Sequence, residues 1–299
     1  MSQPAPTTTH GAIGNLPKGP PPTTHEGTMQ RTDWTDLPGS VRDAITARTG
    51  PVTSGTTAAE GLNSQIAAFL TLESGDTIFV KGLRLDHRGV ITQRREAAIN
   101  PYVLQVSPRM LWQVDVDGWD LLGFEYVQGR HADYTPGSAD LPGVIEVMNT
   151  LGGLPCPELP ELKHAPQRWA SYAADPDDLA LFEGDTLLHT DFNPVNILIG
   201  TDDAAWIIDW AWPTRGAAWI DPACFVLRLL EAGHTPEQAE AIAAQIPAWK
   251  AAPDRALDAF AAASVRQWDE IAANDPADWK QCMVAVVRDW AQWRGIATS

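Results

Sequence analysis

Cysteine is scarce in this chain, and what there is does not pair: Cys156, Cys224 and Cys282 stand far apart with no C-x-x-C spacing. An odd, scattered set excludes a disulfide framework and fits buried small side chains in a reducing, cytoplasmic compartment. Basic residues are also in deficit, 21 against 38 acidic, for a net charge of −17. That balance argues against nucleic acid or an anionic membrane as a partner, since both require a basic face. No apolar run approaches the roughly 18 residues of a membrane span. The N-terminus lacks the charged start and apolar block of a signal peptide. Also missing are G-x-G-x-x-G, G-x-x-x-x-G-K, G-x-S-x-G and H-E-x-x-H, and the histidines show no metal-ligand spacing.

What is present is enough for a core. The 299 residues are 44% hydrophobic and 20% charged, sufficient for one large or two modest domains. Residues 1–33 are expected to form a disordered tail, because the first thirty hold six Pro, six Thr and four Gly and almost no large apolar groups. Residues 34–127 suggest a small lobe. It has a helix near 37–49, strands at 63–72 and 77–83, and a helix near 91–102. A hairpin of 110–116 and 119–127 follows about Asp117-Gly118. Residues 128–299 turn helical. Thr235-Pro236-Glu237-Gln238 carries a capping-box signature, and two long helices are expected at 254–274 and 276–295. The fold class is α+β: a small antiparallel sheet with one helix, then a larger helical lobe.

The sharpest chemical signal is His189-Thr190-Asp191-Phe192-Asn193-Pro194-Val195-Asn196, followed by Ile197–Gly200 and, after a short turn, by Trp206-Ile207-Ile208-Asp209. Two apolar strands joined by a short polar turn form an antiparallel hairpin. With the turn centred between Asp202 and Asp203, Asn196 falls opposite Asp209, and Asp191 lies in the loop that feeds the hairpin. A carboxamide oxygen beside a carboxylate suits Mg²⁺, which completes its shell with water and phosphate oxygens. A second carboxylate there can accept a proton from an attacking hydroxyl.

These residues resemble the aminoglycoside phosphotransferase family, the small-molecule branch of the protein-kinase-like fold. Its catalytic loop is H-G-D-x-x-x-x-N, and the next strand ends in Ile-Asp. The resemblance implies a two-lobed kinase-like enzyme with Asp191 as catalytic base, and with Asn196 and Asp209 as Mg²⁺ ligands. His189 would brace the loop, and Thr190 stands where the family usually has Gly. A kinase reading requires an upstream lysine on a strand. Thr77-Ile78-Phe79-Val80-Lys81 supplies one, and Glu96 lies on the only helix of the strand-rich region that follows the 37–49 helix, able to pair with it.

The phosphate-cradling loop is degenerate. The candidate is residues 53–64, with Gly55, Thr56, Gly61 and Ser64 as cofactor-binding candidates. By resemblance Phe124-Glu125-Tyr126-Val127 is the hinge, where backbone groups of Glu125 and Val127 would hold the base of ATP or GTP. Asp221, in Ile220-Asp221-Pro222-Ala223, is expected to be an N-cap and a loop brace. The expected activity is transfer of the γ-phosphoryl group to a hydroxyl of a small molecule. The alternatives are a metabolic kinase for choline, homoserine or a sugar, and a catalytically silent binding module. Residues 1–150 carry 16 acidic and 11 basic groups and residues 151–299 carry 22 and 10. Acidity gathered in the helical lobe favours a cationic acceptor such as an aminoglycoside.

Overall fold

The computed structural model describes residues 31–58 and 64–297. The first lobe opens with α1 (Gly39–Thr49) and the strands β1 (Val52–Thr57), β2 (Ile66–Leu72) and β3 (Thr77–Arg84). It continues through α2 (Val90–Ile99), β4 (Met110–Val116) and β5 (Trp119–Glu125). The five strands form one antiparallel sheet in the order β1-β2-β3-β5-β4. The Asp-Gly turn forms as its sequence requires: Asp117 and Gly118 have φ of 49° and 76°, the left-handed pair that matches strand twist in a two-residue hairpin. α1 covers the sheet through Val41 and Ile45, which pack with Leu70, Val80 and Leu121 into a core separate from that of the larger lobe.

Two features of this lobe depart from the sequence expectation. Residues 52–57 form a strand rather than a loop, because the β2 edge offers them a ladder that outweighs their weak intrinsic preference. Residues 31–33, expected in the tail, lie against that hairpin, with the Thr32 N–H donating to the Gln65 carbonyl at 2.8 Å.

The second lobe begins with β6 (Gly129–His131) and α3 (Leu141–Gly152), then β7 (Lys163–His164), α4 (Ala165–Trp169) and β8 (Thr186–Leu188). The site hairpin β9 (Ile197–Gly200) and β10 (Ala205–Ile207) and the short β11 (Thr214–Gly216) follow. Helices α5 (Ile220–Glu231), α6 (Pro236–Ala243), α7 (Pro247–Lys250), α8 (Asp254–Asn274) and α9 (Asp278–Trp293) complete it. The capping box at Thr235 and Gln238 is formed in both directions. Trp210, Trp219, Trp249 and Trp290 are buried in this lobe's core. No helix among the described residues is long and apolar enough to cross a membrane.

The lobes are fastened where the site lies. Beneath the cleft, the Ile207 N–H donates to the Val106 carbonyl at 2.7 Å, and Ser107 Oγ donates to the Ile207 carbonyl while accepting from Trp210 Nε1. At the boundary Gly129 pairs with Gly200, and a Cβ at position 129 would overlap the Ile199 carbonyl oxygen. Gly129→Ala is therefore expected to cost about 2–3 kcal/mol, the range for overpacking against groups that cannot yield. A thermal melt reads this as a clearly lowered Tm, and an unchanged Tm would contradict the contact.

Candidate active site

A cavity of about 370 Å³ lies between the lobes. Its inner wall is the upstream ion-pair cluster. Lys81 on β3 faces into it because β3 alternates, and its ammonium is ion-paired with Glu96 of α2 and lies 3.3 Å from Asp209 Oδ1. Burial alone would push the Lys81 ammonium down, but the Asp209 and Glu96 carboxylates outweigh it and hold it above its usual value. Burial likewise pushes the Glu96 carboxyl up, with Lys81 as the counterweight. An ammonium held between two carboxylates stays charged even when buried.

Below the cavity is the loop from His189 to Asn196. His189 accepts from the Asp191 N–H at its Nδ1 (3.3 Å), and its Nε2 lies 3.1 Å from both the Ile208 and Asp209 carbonyl oxygens. Two carbonyls at one nitrogen require the proton there, which fixes the tautomer. The ring also sits edge-on to Trp210, with centroids 4.8 Å apart. Asn196 is buried and donates from Nδ2 to the Asp191 carbonyl at 3.1 Å. Asp191 is 42% exposed at its side chain, open for contact with an acceptor.

Thr190 has φ of 66°. The left-handed region is costly for a β-branched residue, which explains why the related motif places glycine there. Two side chains hold it in place. Asp221 accepts from the His189 N–H at 2.9 Å with one oxygen and from the Thr190 N–H at 2.8 Å with the other. Arg168 donates to Thr190 Oγ1 and, at 2.6 Å, to Thr214 Oγ1. Asp221 is thus the expected loop brace but not the N-cap: it lies in the first turn of α5, and Trp219 holds the cap position without a side-chain bond.

Burial pushes the Asp221 carboxyl up to about 6, against the two N–H groups that favour its charge. An unfolded Asp titrates near 3.9, so between about pH 4 and pH 6 the folded chain holds a proton the unfolded chain has released. Stability from this group therefore falls as pH rises across that window, by roughly 3 kcal/mol for a shift of about two units. Asp221→Asn removes the slope and also turns an amide NH₂ toward one of the loop N–H groups. Melts at pH 4.5, 5.5 and 7 are expected to show the wild-type advantage over Asp221→Asn shrinking as pH rises. Parallel profiles would contradict it.

The hairpin register differs from expectation. β9 and β10 pair Ile199 with Ala205 and Ile197 with Ile207, and the Ile208 N–H donates to the Asn196 carbonyl at 2.9 Å, so Asn196 faces Ile208 and not Asp209. The cause is the turn. Residues 201–203 form a three-residue loop closed by a Gly200 N–H to Ala204 carbonyl bond of 2.8 Å, with Asp203 left-handed at φ 63°. Asp209 reaches the cleft by a second left-handed step, φ 61°, just past the ladder. Both Asn196 and Asp209 line the cavity. Among the described residues no group of three or more His, Cys, Asp or Glu side chains is arranged to hold a metal. Two oxygen ligands with the remainder from phosphates and water match the donor set Mg²⁺ takes beside a nucleotide, and Asn196 keeps its Oδ1 for that use because Nδ2 is engaged.

Glu125, the last residue of β5, and Val127, just past it, line the far end of the cavity. The Glu125 N–H is taken by the Arg109 carbonyl at 2.9 Å, whereas among the described residues Val127 makes no backbone hydrogen bond. Phe69 stacks edge-on against Tyr126, with centroids 5.4 Å apart, and gives this end an aromatic wall. Of the proposed phosphate-loop residues, Ser64 lines the cavity and Gly61 lies outside the described residues. Gly55 and Thr56 do not line it, because both sit on β1. Gly55 instead makes room for Trp34, whose ring carbon a Cβ would meet at 2.7 Å.

Sequence patterns missed the surroundings of Asp191. Arg228 of α5, only 12% exposed at its side chain, places Nη2 at 3.4 Å from Asp191 Oδ1 and Nη1 at 2.9 Å from Glu231. Arg168 adds a second cation through Thr190. Neither belongs to a motif, and a lone basic residue on a helix gives no signal until the helix is placed.

No protein-family model matches the chain, and no curated protein matches it in sequence. Solved structures do match its fold. Choline kinase LicA from Streptococcus pneumoniae superposes with a TM-score of 0.55 at 15% identity, over 84% of this chain and 98% of that one. An aminoglycoside phosphotransferase from Alicyclobacillus acidocaldarius gives 0.60 at 13% identity, over 87% and 95%. A thermostable mutant of aminoglycoside phosphotransferase APH(4)-Ia, in a ternary complex with ADP and hygromycin B, gives 0.57 at 15%, over 84% and 99%. The chain has the two-lobed fold these proteins share.

Proposed function

We propose that this chain, built on the fold of those phosphotransferases, transfers the γ-phosphoryl group of ATP or GTP to a hydroxyl of a small molecule. One observation carries the reading: Lys81, Glu96 and Asp209, from three separate elements, meet at the wall of one cavity, with Asp191 on the loop below it. Structural lysines seldom sit buried between two carboxylates, and perturbed groups of this kind mark functional clefts.

Each residue has a role set by its geometry. The cavity end at Val127 and the Phe69–Tyr126 wall receives the base, and Lys81 reaches the phosphates. Asn196 and Asp209 would hold Mg²⁺, whose chemistry here is to neutralise charge spread over the phosphate oxygens. Asp191 orients the acceptor hydroxyl and takes its proton as the oxygen bonds to phosphorus and the bond to the nucleoside diphosphate breaks. Asp221 and His189 keep Asp191 in place through the backbone of the loop, and Arg168 does so through the Thr190 hydroxyl.

The overall acidity would steer a cationic acceptor, such as an aminoglycoside, toward the lobe. The charged side chain in contact with Asp191 is Arg228, and Arg168 lies one residue away on Thr190, so the part of the acceptor beside its reacting hydroxyl need not be cationic. A coupled ADP-release screen over aminoglycosides, other antibiotics, choline, homoserine and sugars tests the proposal. Acceptor-dependent ADP release is expected with at least one class. Release with none, alongside intact nucleotide binding, would favour a silent module of the same fold.

A further inference from the structure

A net charge of −17 makes a cluster of cations that no carboxylate ion-pairs conspicuous, and one lies beside the proposed catalytic loop. Trp212, three residues past Asp209, is 43% exposed. Its ring lies between two guanidinium groups, with Arg95 Cζ at 5.2 Å and Arg168 Cζ at 5.5 Å from the centroid. The next element in the chain, β11, brings in a third cation: Thr214 pairs with Lys163 of β7, and the Lys163 N–H donates to the Pro213 carbonyl at 2.9 Å. Arg168 then reaches Thr214 Oγ1 at 2.6 Å and Thr190 Oγ1, next to Asp191. Among the described residues, none of the three cations is ion-paired with a carboxylate.

Their mutual proximity is unfavourable as it stands. Arg95 first, then burial and Arg168, push the Lys163 ammonium below its usual value. Asp221 and Asp191 attract Arg168 only from beyond ion-pair distance, so an anion that bridges the three like charges would stabilise them, and guanidinium forks suit the oxygen pairs of carboxylate and phosphate. Stacking with Trp212 holds two of the three in orientation before any ligand arrives. The cluster draws on α2 of the first lobe and on β7 and α4 of the second, so an anion there would also tie the helix that bears Glu96 to the loop that bears Asp191.

We infer that Arg95, Lys163 and Arg168 around Trp212 form an anion-binding subsite beside the catalytic loop, taking a carboxylate, phosphate or sulfate group. The inference rests on the phosphotransfer reading for its setting and narrows the acceptor to hydroxyl compounds that carry, or react beside, an oxyanion.

The test is calorimetric titration of inorganic phosphate into the full chain preloaded with Mg²⁺ and AMP-PNP, which occupies the Lys81 cavity. Saturable phosphate binding is expected. It should weaken at least tenfold in Arg95→Gln/Lys163→Gln and stay unchanged in Lys250→Gln, which removes one positive charge elsewhere. If the double variant fails to bind AMP-PNP, Lys163→Gln alone replaces it, with at least a threefold loss expected. No saturable phosphate binding to the loaded protein, or equal weakening in Lys250→Gln, would overturn the subsite. Failure of the wild type to bind AMP-PNP would instead overturn the proposed function. Two further arms separate the sources of the anion. ADP release that rises with glycerate or glycerol 3-phosphate and drops in Lys163→Gln places the anion on the acceptor. ADP release from a neutral alcohol that rises on adding phosphate places it in a free oxyanion.

Discussion

Lys81→Met is expected to abolish nucleotide binding and to destabilise the chain by about 3–5 kcal/mol, the cost of leaving a buried charge without its partner. The stranded group is Glu96, 5% exposed, whose carboxyl burial already pushes up, with Lys81 as the main counterweight and a backbone hydrogen bond from Trp210 as a lesser one. Without the ammonium, the nearby Asp209 carboxylate raises it further. A raised carboxyl favours the folded state only while protonated. The deficit should therefore be small near pH 4, close to the unfolded Glu value of about 4.3, and grow as pH rises toward neutrality. Lys81→Met/Glu96→Gln removes the stranded charge as well, so most of the stability should return while nucleotide binding stays absent. Urea melts at pH 5 and pH 8, with nucleotide calorimetry on both variants, check each part. A deficit independent of pH, or one the double variant fails to relieve, would show that the ion pair is not what holds α2 to the sheet.

Asp191→Asn is expected to lower turnover by roughly 10²–10⁴, the contribution of a positioned general base. Nucleotide affinity should stay as in the wild type, since Asp191 does not line the cavity proposed to hold the nucleotide. The substitution preserves shape, the loop hydrogen bonds from His189 and Asn196 run to the backbone of residue 191, and the Arg228 contact can persist through the amide oxygen. What is lost is the ability to take a proton. Steady-state ADP release with an acceptor from the screen, together with nucleotide titration, separates the two effects. Turnover retained within tenfold, or nucleotide binding lost in parallel, would remove Asp191 from the role assigned to it.

Much of this was legible in the sequence where the determining interactions are local. Asp117-Gly118, the Thr235–Gln238 cap and the loop from His189 to Asn196 each act within a few residues, and all formed as expected. Lys81 and Glu96 were found because the resemblance to the kinase-like fold asks for a strand lysine and a small-lobe helix glutamate, and in the structure the two pair. The misses share one cause, the dependence of a segment on distant partners. The strand at 52–57 has the composition of a loop and is extended only because β2 is beside it. β6, β7, β8 and β11 span two or three residues each, too few for any period to show. The turn at residues 201–203 shifted a register that had been centred one half-step away, moving Asn196 from Asp209 to Ile208. Arg168 and Arg228 acquire meaning only once α4 and α5 are docked against the catalytic loop. The acidity of the second half pointed toward a cationic acceptor, while the charged group in contact with the Asp191 side chain is the cation Arg228; net charge describes the surface as a whole and not the few ångströms around one carboxylate.

The central claim is that the cavity between the lobes holds a nucleotide through Lys81, Asn196 and Asp209. Isothermal titration of ATP and GTP into the wild type and Asp209→Ala, each with and without Mg²⁺, tests it most directly. Saturable binding of at least one nucleotide that requires Mg²⁺ in the wild type and is lost in Asp209→Ala is the predicted result. No binding of either nucleotide with Mg²⁺ present, or binding that Asp209→Ala leaves intact, would contradict the account.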